Sequence, residues 1–263
     1  GYSASSEGTY IETNLGNEDA WLVKTKANGD FLWSKNFGGS ADDRFVSVLN
    51  TIDNGFLAAG RTASAIDNNA GLLDLYLVKT NSNGELEWEK TIGGTKDDLF
   101  TKMIKTSDEG FLAVGYSKSN DGAIGSNAGD EDAIAFKLDS EGETIWSTVI
   151  GGSGIEEARD VIELADGSYL IGILSESSQS GDFSSVSKGN FDYWIFKYSA
   201  DGEQVWSKNY GGDKLDKLRA LAVNSEGTVL AAGNSKSSNN EDVTASNSGE
   251  TDIWSFTLKP DSK

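Results

Sequence analysis

The segment Asp74–Ser119 reads DLYLVKTNSNGELEWEKTIGGTKDDLFTKMIKTSDEGFLAVGYSKS, and the 263-residue chain consists of roughly four and a half copies of it. In each complete copy a tryptophan is followed five and six positions later by a pair of glycines. These tryptophans recur at nearly equal intervals, and a fixed period of this size indicates a repeat architecture. They are Trp33, Trp88, Trp146 and Trp206.

Each copy contains four strand signals. The first strand begins at an aspartate and is apolar on both faces, which is typical of a strand covered on both sides. A short turn with Asn-Gly, Asp-Gly or Glu-Gly leads to the second strand, which carries the tryptophan; Asn-Gly and Asp-Gly favour tight hairpins. The third strand follows the glycine pair, and the fourth is followed by a serine pair, such as Ser117 and Ser119, before a loop rich in Ser, Asn, Gly and Asp. The opening aspartates are Asp19, Asp74, Asp132, Asp192 and Asp252.

This order of strand and turn signals predicts an all-β fold. Four antiparallel strands in every repeat are the pattern of a β-propeller blade, so we expect one propeller domain over residues 1–263. Its repeats start near residues 19, 74, 132, 192 and 252, which gives about five blades with incomplete terminal blades, or an arc of a larger ring. Two alternatives stay open: the third segment also fits a helical spacing, and a solenoid would stack the units in a line.

Composition excludes several kinds of site. The chain has no cysteine and no histidine, so a disulfide framework, a thiolate metal site and a Ser-His-Asp triad are all impossible. Its net charge of −20 repels phosphate backbones, which argues against nucleic acid and anionic membrane surfaces as partners. No apolar stretch is long enough to span a membrane, so we expect no membrane insertion.

The motifs resemble a bacterial repeat family. The run G-Y-S-x-S-N-D-G at residues 115–122, then N-x-G-x-x-D, D-x-W-x-x-K and G-x-x-x-W-x-K with a Gly-Gly-Ser or Gly-Gly-Thr, is similar to repeats of secreted and surface proteins of Bacteroidetes. Kelch and bacterial β-propeller repeats have the same order of strands, glycines and tryptophan. The resemblance implies a propeller with kelch-like blades, an extracellular or cell-surface location, and neighbouring domains in a longer chain.

Recurring acids are the candidate metal ligands. Five positions after the first glycine of each pair stands Asp43, Asp98, Glu156 or Asp216. In a propeller these carboxylates would fall at equivalent places near one mouth of the channel, where calcium or magnesium could bind between them. The other interpretation is that each carboxylate accepts hydrogen bonds from the turn after the glycine pair.

Loop acids form a second candidate site. Asp121, Asp130 and Asp132 lie close in one loop together with Glu131, and Asn240, Glu241 and Asp242 lie in another. Oxygen-rich loops suit calcium, which is the one cofactor candidate, although neither loop has the spacing of an EF-hand. A solvated acidic loop is the simpler interpretation. For the opening aspartates we expect a hydrogen bond to the preceding turn, and for the periodic tryptophans packing between neighbouring sheets.

The hypotheses for function follow from regular repeats, polar loops and the missing catalytic residue types. The leading one is a non-enzymatic binding or scaffold module, adhesin-like or part of a surface assembly, which takes a protein or glycan partner at its loops. The alternative is a glycan-active enzyme that uses paired carboxylates, although fold alone does not imply function. A third is a purely structural segment of a surface assembly.

Overall fold

The computed structural model describes residues 1–5, 13–67, 69, 72–239, 242–244 and 246–259. The described chain is all-β, and no helix within it is long and apolar enough to cross a membrane. The strands are β1 (Tyr2–Ser3), β2 (Asp19–Thr25), β3 (Phe31–Phe37), β4 (Asp43–Asn50), β5 (Phe56–Thr62), β6 (Asp74–Thr80), β7 (Leu86–Ile92), β8 (Asp98–Lys105), β9 (Phe111–Ser117), β10 (Asp132–Leu138), β11 (Thr144–Ile150), β12 (Glu156–Glu163), β13 (Tyr169–Ser175), β14 (Asp192–Tyr198), β15 (Gln204–Tyr210), β16 (Asp216–Val223), β17 (Val229–Ser235) and β18 (Asp252–Leu258).

The strands form five separate small sheets. Three have four strands, in the orders β4-β5-β6-β7, β11-β10-β9-β8 and β12-β13-β14-β15, and two have three strands, β1-β2-β3 and β16-β17-β18. Each four-stranded sheet therefore joins the third and fourth strands of one repeat to the first and second strands of the next. The strand prediction for the third segment is confirmed at β4, β8, β12 and β16, and a helix there is wrong.

The burial of each strand follows its place in the sheet. Every residue of the first strands β6, β10 and β14 is buried, as expected for a strand with a neighbour on each edge and packing on both faces. The second strand β7 lies at a sheet edge, and most of its residues are half-buried or exposed. The third strand β8 mixes buried with more exposed positions, because one face packs inward and the other does not.

Two compact units divide the chain, residues 1–105 with 117–126, and residues 106–116 with 127–263. In the first unit, Phe45 stacks on Tyr76 with ring centroids 5.7 Å apart, within a buried apolar cluster. In the second unit, Tyr193 packs on Trp254 with centroids 4.9 Å apart, in a separate buried cluster. The expectation of a single propeller domain over residues 1–263, closed or open, stays a prediction.

The periodic tryptophans bridge neighbouring sheets within each unit. The Trp33 indole N–H in β3 donates to the Ser82 carbonyl in the β6–β7 turn, with the two atoms 3.2 Å apart. The Trp146 indole N–H in β11 donates in the same way to the Ala200 carbonyl in the β14–β15 turn, at 3.0 Å. For these two tryptophans the predicted packing between sheets is confirmed.

The turn glycine beneath each of these two indoles has two reasons to be glycine. Gly202 has φ of +85°, and a Cβ atom there would lie 2.7 Å from the Trp146 indole. Residues with a side chain rarely adopt such a φ. Gly84 meets Trp33 in the same way, with φ of +80° and a distance of 2.8 Å. The turn glycine and the tryptophan of the preceding repeat are thus one packing unit.

Candidate functional site

The third-strand acid of each repeat lies at the loop end of its sheet, where it holds several chain segments together. Asp98 is fully buried and accepts hydrogen bonds from the Gly94 N–H at 2.7 Å and the Ser119 hydroxyl at 2.9 Å. It also accepts a hydrogen bond from the Ser117 hydroxyl. One carboxylate therefore joins the second glycine of the pair to the two serines at the end of the fourth strand. We call this arrangement the carboxylate–serine cluster.

The same cluster recurs in every complete repeat. The acids Asp43, Glu156 and Asp216 are also fully buried, and each accepts the N–H of the second paired glycine, at 2.7 to 2.8 Å. The hydroxyl donors come from Thr62 and Ser64, from Ser175, and from Ser237, in that order. The turn-capping interpretation therefore describes what these side chains do. It also explains the serine pairs, whose role the sequence did not indicate.

Burial raises the pKa of two of these acids, Asp98 and Glu156, above its ordinary value, and the hydrogen bonds of the cluster oppose that rise. The nearby charge of Asp132 raises the pKa of Glu156 further. Burying a carboxylate removes it from water at a cost in free energy, and the hydrogen bonds of the cluster offset part of that cost.

The opening aspartates cap the preceding loop. Four of them accept the backbone N–H of the residue four positions earlier, at 2.5 to 2.6 Å. This confirms the predicted hydrogen bond to the preceding turn at Asp19, Asp132, Asp192 and Asp252.

In another repeat, the first glycine of the pair, Gly93, leaves room for the carboxylates of Asp74 and Asp98. A Cβ atom at Gly93 would lie 2.3 Å from Asp74 Oδ1 and 2.8 Å from Asp98 Oδ2, so only glycine leaves space there.

The loop acids separate into three environments. Asp121 accepts hydrogen bonds from the Thr95 N–H at 2.8 Å and its hydroxyl at 2.9 Å, so it ties the loop to the segment after the glycine pair. Asp130 is exposed, and Asp132 is fully buried. In the second loop Asn240 and Glu241 lie outside the described residues, while Asp242 accepts the Gly211 N–H at 3.2 Å.

No group of three or more acidic side chains with the arrangement of a metal site occurs among the residues that the structure describes. The third-strand acids lie one to a cluster, each with protein donors. Calcium or magnesium at Asp43, Asp98, Glu156, Asp216, Asp121, Asp130 or Asp132 stays a prediction, and the arrangement of donors favours the structural role for the buried members of that set.

At the opposite end of the three four-stranded sheets, where the tight turns lie, a lysine of the first strand is buried: Lys79, Lys137 or Lys197. Lys79 near the end of β6 forms an ion pair with Asp53 in the β4–β5 turn, with Nζ and Oδ2 2.6 Å apart. Lys137 pairs with Asp108 at 2.8 Å, and the lysine side chain is 2% exposed against 53% for the aspartate. Desolvation by itself would raise the pKa of Asp108, but the hydrogen bond from Lys137 holds that pKa below its usual range. These pairs fasten the turn to the neighbouring strand.

Two features break the repeat pattern, and the sequence analysis missed both. Asp160 in β12 occupies a position that is Ser47 or Lys102 in other copies, and its buried carboxylate accepts the Leu221 N–H of β16 at 2.8 Å. This bond joins two sheets of the second unit. A signal existed in the sequence, because Asp160 is the one acid at this position of the third strand.

The second feature is a cleft between the β12–β13 turn and the β16–β17 turn. It has a volume of about 300 Å³ and is lined mainly by apolar atoms of residues 164–166, 223–225 and 227. At the preceding interface Ser107 donates to the Glu163 carboxylate through its N–H at 2.8 Å and its hydroxyl at 2.6 Å. Ala165 and Val223 occupy the equivalent positions at the cleft, so this polar link is lost and the space opens.

Comparisons with known proteins give distant similarities. No protein-family profile matches the chain. A segment covering 57% of the chain is 24% identical to a protein described as regulatory protein FlaEY of Caulobacter vibrioides, and the match spans 17% of that protein. A solved structure of a protein of unknown function from Bacteroides caccae is similar over 81% of this chain and 65% of its own, with 12% identity and a TM-score of 0.45.

Proposed function

We propose that this chain is a non-enzymatic binding or scaffold module whose partner, a protein or a glycan, binds the loops at the loop end of the sheets. The proposal rests on the structural role of the polar residues that recur in every repeat. Third-strand acids, opening aspartates and serine pairs all hold turns and loops in place through hydrogen bonds. The recurring residues therefore stabilise the sheets and their turns, and the loops that vary between repeats are held at the surface for binding.

The distribution of carboxylates supports binding over catalysis. Glycoside hydrolysis uses two carboxyl groups about 5 to 10 Å apart that both reach the substrate. Asp132 and Glu156 are close enough for their charges to interact, but both are fully buried. Among its lining residues the cleft of the second unit has one carboxylate, Asp166, which forms an ion pair with Lys197. Asp132 and Glu156 are therefore out of a glycan's reach, and Asp166 is the one carboxylate among the lining residues of the cleft.

The finer fold assignment belongs to the same proposal. We infer that the five sheets are blades of a propeller with kelch-like strand order, and that the protein acts outside the cell or at its surface. The support for the propeller is the meander order within each sheet and the contact of the indole of one sheet with a turn of the next. The inferred location rests on the resemblance of the repeat motifs to those of bacterial surface proteins. A crystal structure with the sheets stacked in a line instead of around an axis would contradict this part.

A loop variant tests the binding proposal. Residues 125–130 are replaced by a Gly/Ser segment of equal length, so that Asp121 still reaches Thr95, Ile124 stays buried and Asp132 keeps its backbone donor. The labelled protein and the variant are applied to a glycan array and to a displayed peptide library. We expect loss of a bound ligand in the variant with an unchanged melting temperature. Equal binding by the variant, or release of hydrolysed glycan by either protein, would overturn the proposal.

A further inference from the structure

β11 differs from the other second strands in its charge. The second strands β3, β7, β11 and β15 each lie at an edge of their sheet, where the described part of the chain places no further strand. β3, β7 and β15 carry one to three charged side chains, whereas β11, with the sequence TIWSTVI, carries none. Charged side chains keep other strands from pairing with an edge. β11 therefore lacks a protection that the other three strands have.

The charge that β11 lacks is a lysine two positions after the tryptophan. Lys35, Lys90 and Lys208 occupy this position in the other second strands, and Thr148 occupies it in β11. In β7 and β15 the lysine ammonium also lies over the ring of the strand's own tryptophan, 5.2 and 5.0 Å from its centroid. Threonine is uncharged and favours strands. The change therefore makes this edge position suitable for pairing with another strand.

The rest of β11 is accessible and held in an extended conformation. Ile145 is 57% exposed, and Ser147 is exposed. Trp146 fixes the strand against the neighbouring sheet, because its ring stacks on Tyr198 with centroids 6.3 Å apart and its indole N–H donates to the Ala200 carbonyl. A strand that is already ordered loses little conformational entropy when another strand pairs with it.

We propose that β11 pairs antiparallel with β11 of a second copy of this chain, about a two-fold axis at Thr148, and so joins two copies into a homodimer. In this register Thr148 faces its own symmetry mate, Ser147 faces Val149, and Trp146 faces Ile150. Every one of these cross-strand pairs is uncharged, and opposed threonines and aromatic–β-branched pairs stabilise antiparallel strands. A two-fold axis uses the edge once in each copy, so the assembly closes as a dimer.

The other second strands are unsuited to the same pairing. A residue on a two-fold axis always faces itself, and at this position they carry Lys35, Lys90 or Lys208. Like charges directly opposite each other destabilise a pair of strands. The comparison therefore favours β11 as the pairing strand and a second copy of the chain as its partner.

The dimer should be weak and should depend on salt. β11 has seven residues, so the paired edge is about 23 Å long, and the interface is smaller than the roughly 1,200 Å² that stable complexes bury. Each copy has a net charge of −20, so two copies repel each other, and salt screens that repulsion. We expect reversible association that strengthens as the ionic strength rises.

The inference concerns a surface other than the loops and does not depend on the proposed function. A single thiol tests the register, because the chain has no cysteine. Directly opposed residues of antiparallel strands have Cα atoms about 4.5–5.5 Å apart, which a disulfide can span. We expect Thr148→Cys to form a disulfide-linked dimer at least tenfold faster under mild oxidation than the control Val205→Cys. Val205 lies in β15, keeps Lys208 beside it and is 56% exposed, whereas Thr148 is half-buried, so random collision would favour the control.

Sedimentation equilibrium of the full chain, over a range of protein concentrations at low and high ionic strength, tests the dimer itself. Thr148→Lys introduces the residue that the other second strands have, and we expect at least tenfold weaker association with an unchanged melting temperature. This variant makes the chain less negative, so an effect of overall charge would strengthen association instead. Val205→Lys changes the overall charge equally and should not weaken association.

Ser147→Glu serves if Thr148→Lys unfolds, because β7 has Glu89 at this position. It should also weaken association at least tenfold, and Val205→Glu is its control. A chain that stays monomeric at every concentration and ionic strength, equal rates of disulfide formation by the two thiols, or association unaffected by the β11 variants would overturn the proposal.

Discussion

Replacing Asp98 by alanine should destabilise the protein more than any change at a neighbouring surface acid. The substitution removes the acceptor of three hydrogen bonds, those from the Gly94 N–H, the Ser117 hydroxyl and the Ser119 hydroxyl. All three donors lie in a buried environment, so the loss leaves polar groups without water to replace the carboxylate.

The expected decrease in the free energy of unfolding of Asp98→Ala is the difference between two opposing effects. An unsatisfied buried N–H costs about 1–3 kcal/mol, and each hydroxyl adds about 1 kcal/mol because it can rotate toward another acceptor. Removing Asp98 also relieves the desolvation that raises the pKa of its carboxyl. We expect a net loss of about 2–4 kcal/mol in the free energy of unfolding, against a typical total of about 5–15 kcal/mol.

The assay is equilibrium unfolding in urea, followed by the fluorescence of the seven tryptophans, with native-state hydrogen exchange at the Gly94 amide. Asp97→Ala is the matched control. Asp97 Oδ2 lies 3.7 Å from Lys118 Nζ, in an ion pair whose lysine side chain is 43% exposed. Removing such a partly exposed pair should cost less than about 1 kcal/mol. If the two variants differ by less than about 1 kcal/mol, the carboxylate does not hold the turn and the reasoning fails.

The pH dependence gives an independent check through Asp98→Asn. The folded-state pKa of Asp98 lies above its unfolded value, so the carboxyl contributes its full stability at pH below the unfolded value and loses part of it as pH rises through the folded value. Asparagine does not titrate. The variant should therefore be most destabilised relative to the native chain near pH 3–4 and less so at pH 7. A difference that grows toward neutral pH would contradict the direction of the shift.

Three further predictions address the frame and the metal question. Gly202→Ala should cost about 2 kcal/mol in urea unfolding, because it adds strain at positive φ and places a Cβ atom against Trp146. Gly29→Ala, with φ of +90° and nothing within 4 Å, should cost about 1 kcal/mol, and equal losses would refute the role of the indole. Asp108→Asn should cost about 1–3 kcal/mol at pH 7, because the aspartate is half exposed but the Lys137 ammonium that loses its counter-charge is buried. Because Lys137 lowers the folded-state pKa of Asp108, that loss should shrink as pH falls through the folded value, and a loss that grows toward low pH would contradict this. Adding millimolar calcium after EDTA treatment should leave the melting temperature unchanged if the acids act through hydrogen bonds, and a rise of several degrees would establish the cation site instead.

Much of the fold could be predicted from the repeat. The opening aspartates mark the first residues of β2, β6, β10, β14 and β18, and alternation, turn glycines and glycine pairs indicate each strand. Local signals suffice there, because hairpins and strand lengths depend on neighbouring residues. The serine pairs were harder to interpret, since a serine at the end of a strand carries no sign that its hydroxyl will meet a carboxylate at the start of the preceding strand.

The candidate sites could be predicted less well, for a physical reason. Asp98 and Asp121 look alike in sequence, yet one is fully buried with three donors and the other is exposed, with Thr95 as its hydrogen-bond donor. Burial depends on what the other strands place around a side chain, and this is not encoded near the residue itself. Asp160 and the cleft beside Ala165 are departures from the repeat whose meaning emerges when two sheets face each other.

By itself, then, the amino-acid sequence determined the period, the strand order within each repeat, the absence of thiol and imidazole chemistry and the acidic charge. Those properties follow from composition and from short-range backbone preferences. The tertiary structure alone decided that the recurring acids are buried acceptors and that each four-stranded sheet combines strands of two repeats. These outcomes depend on which distant segments pair, because hydrogen bonding and desolvation are set by partners that lie far apart in the chain.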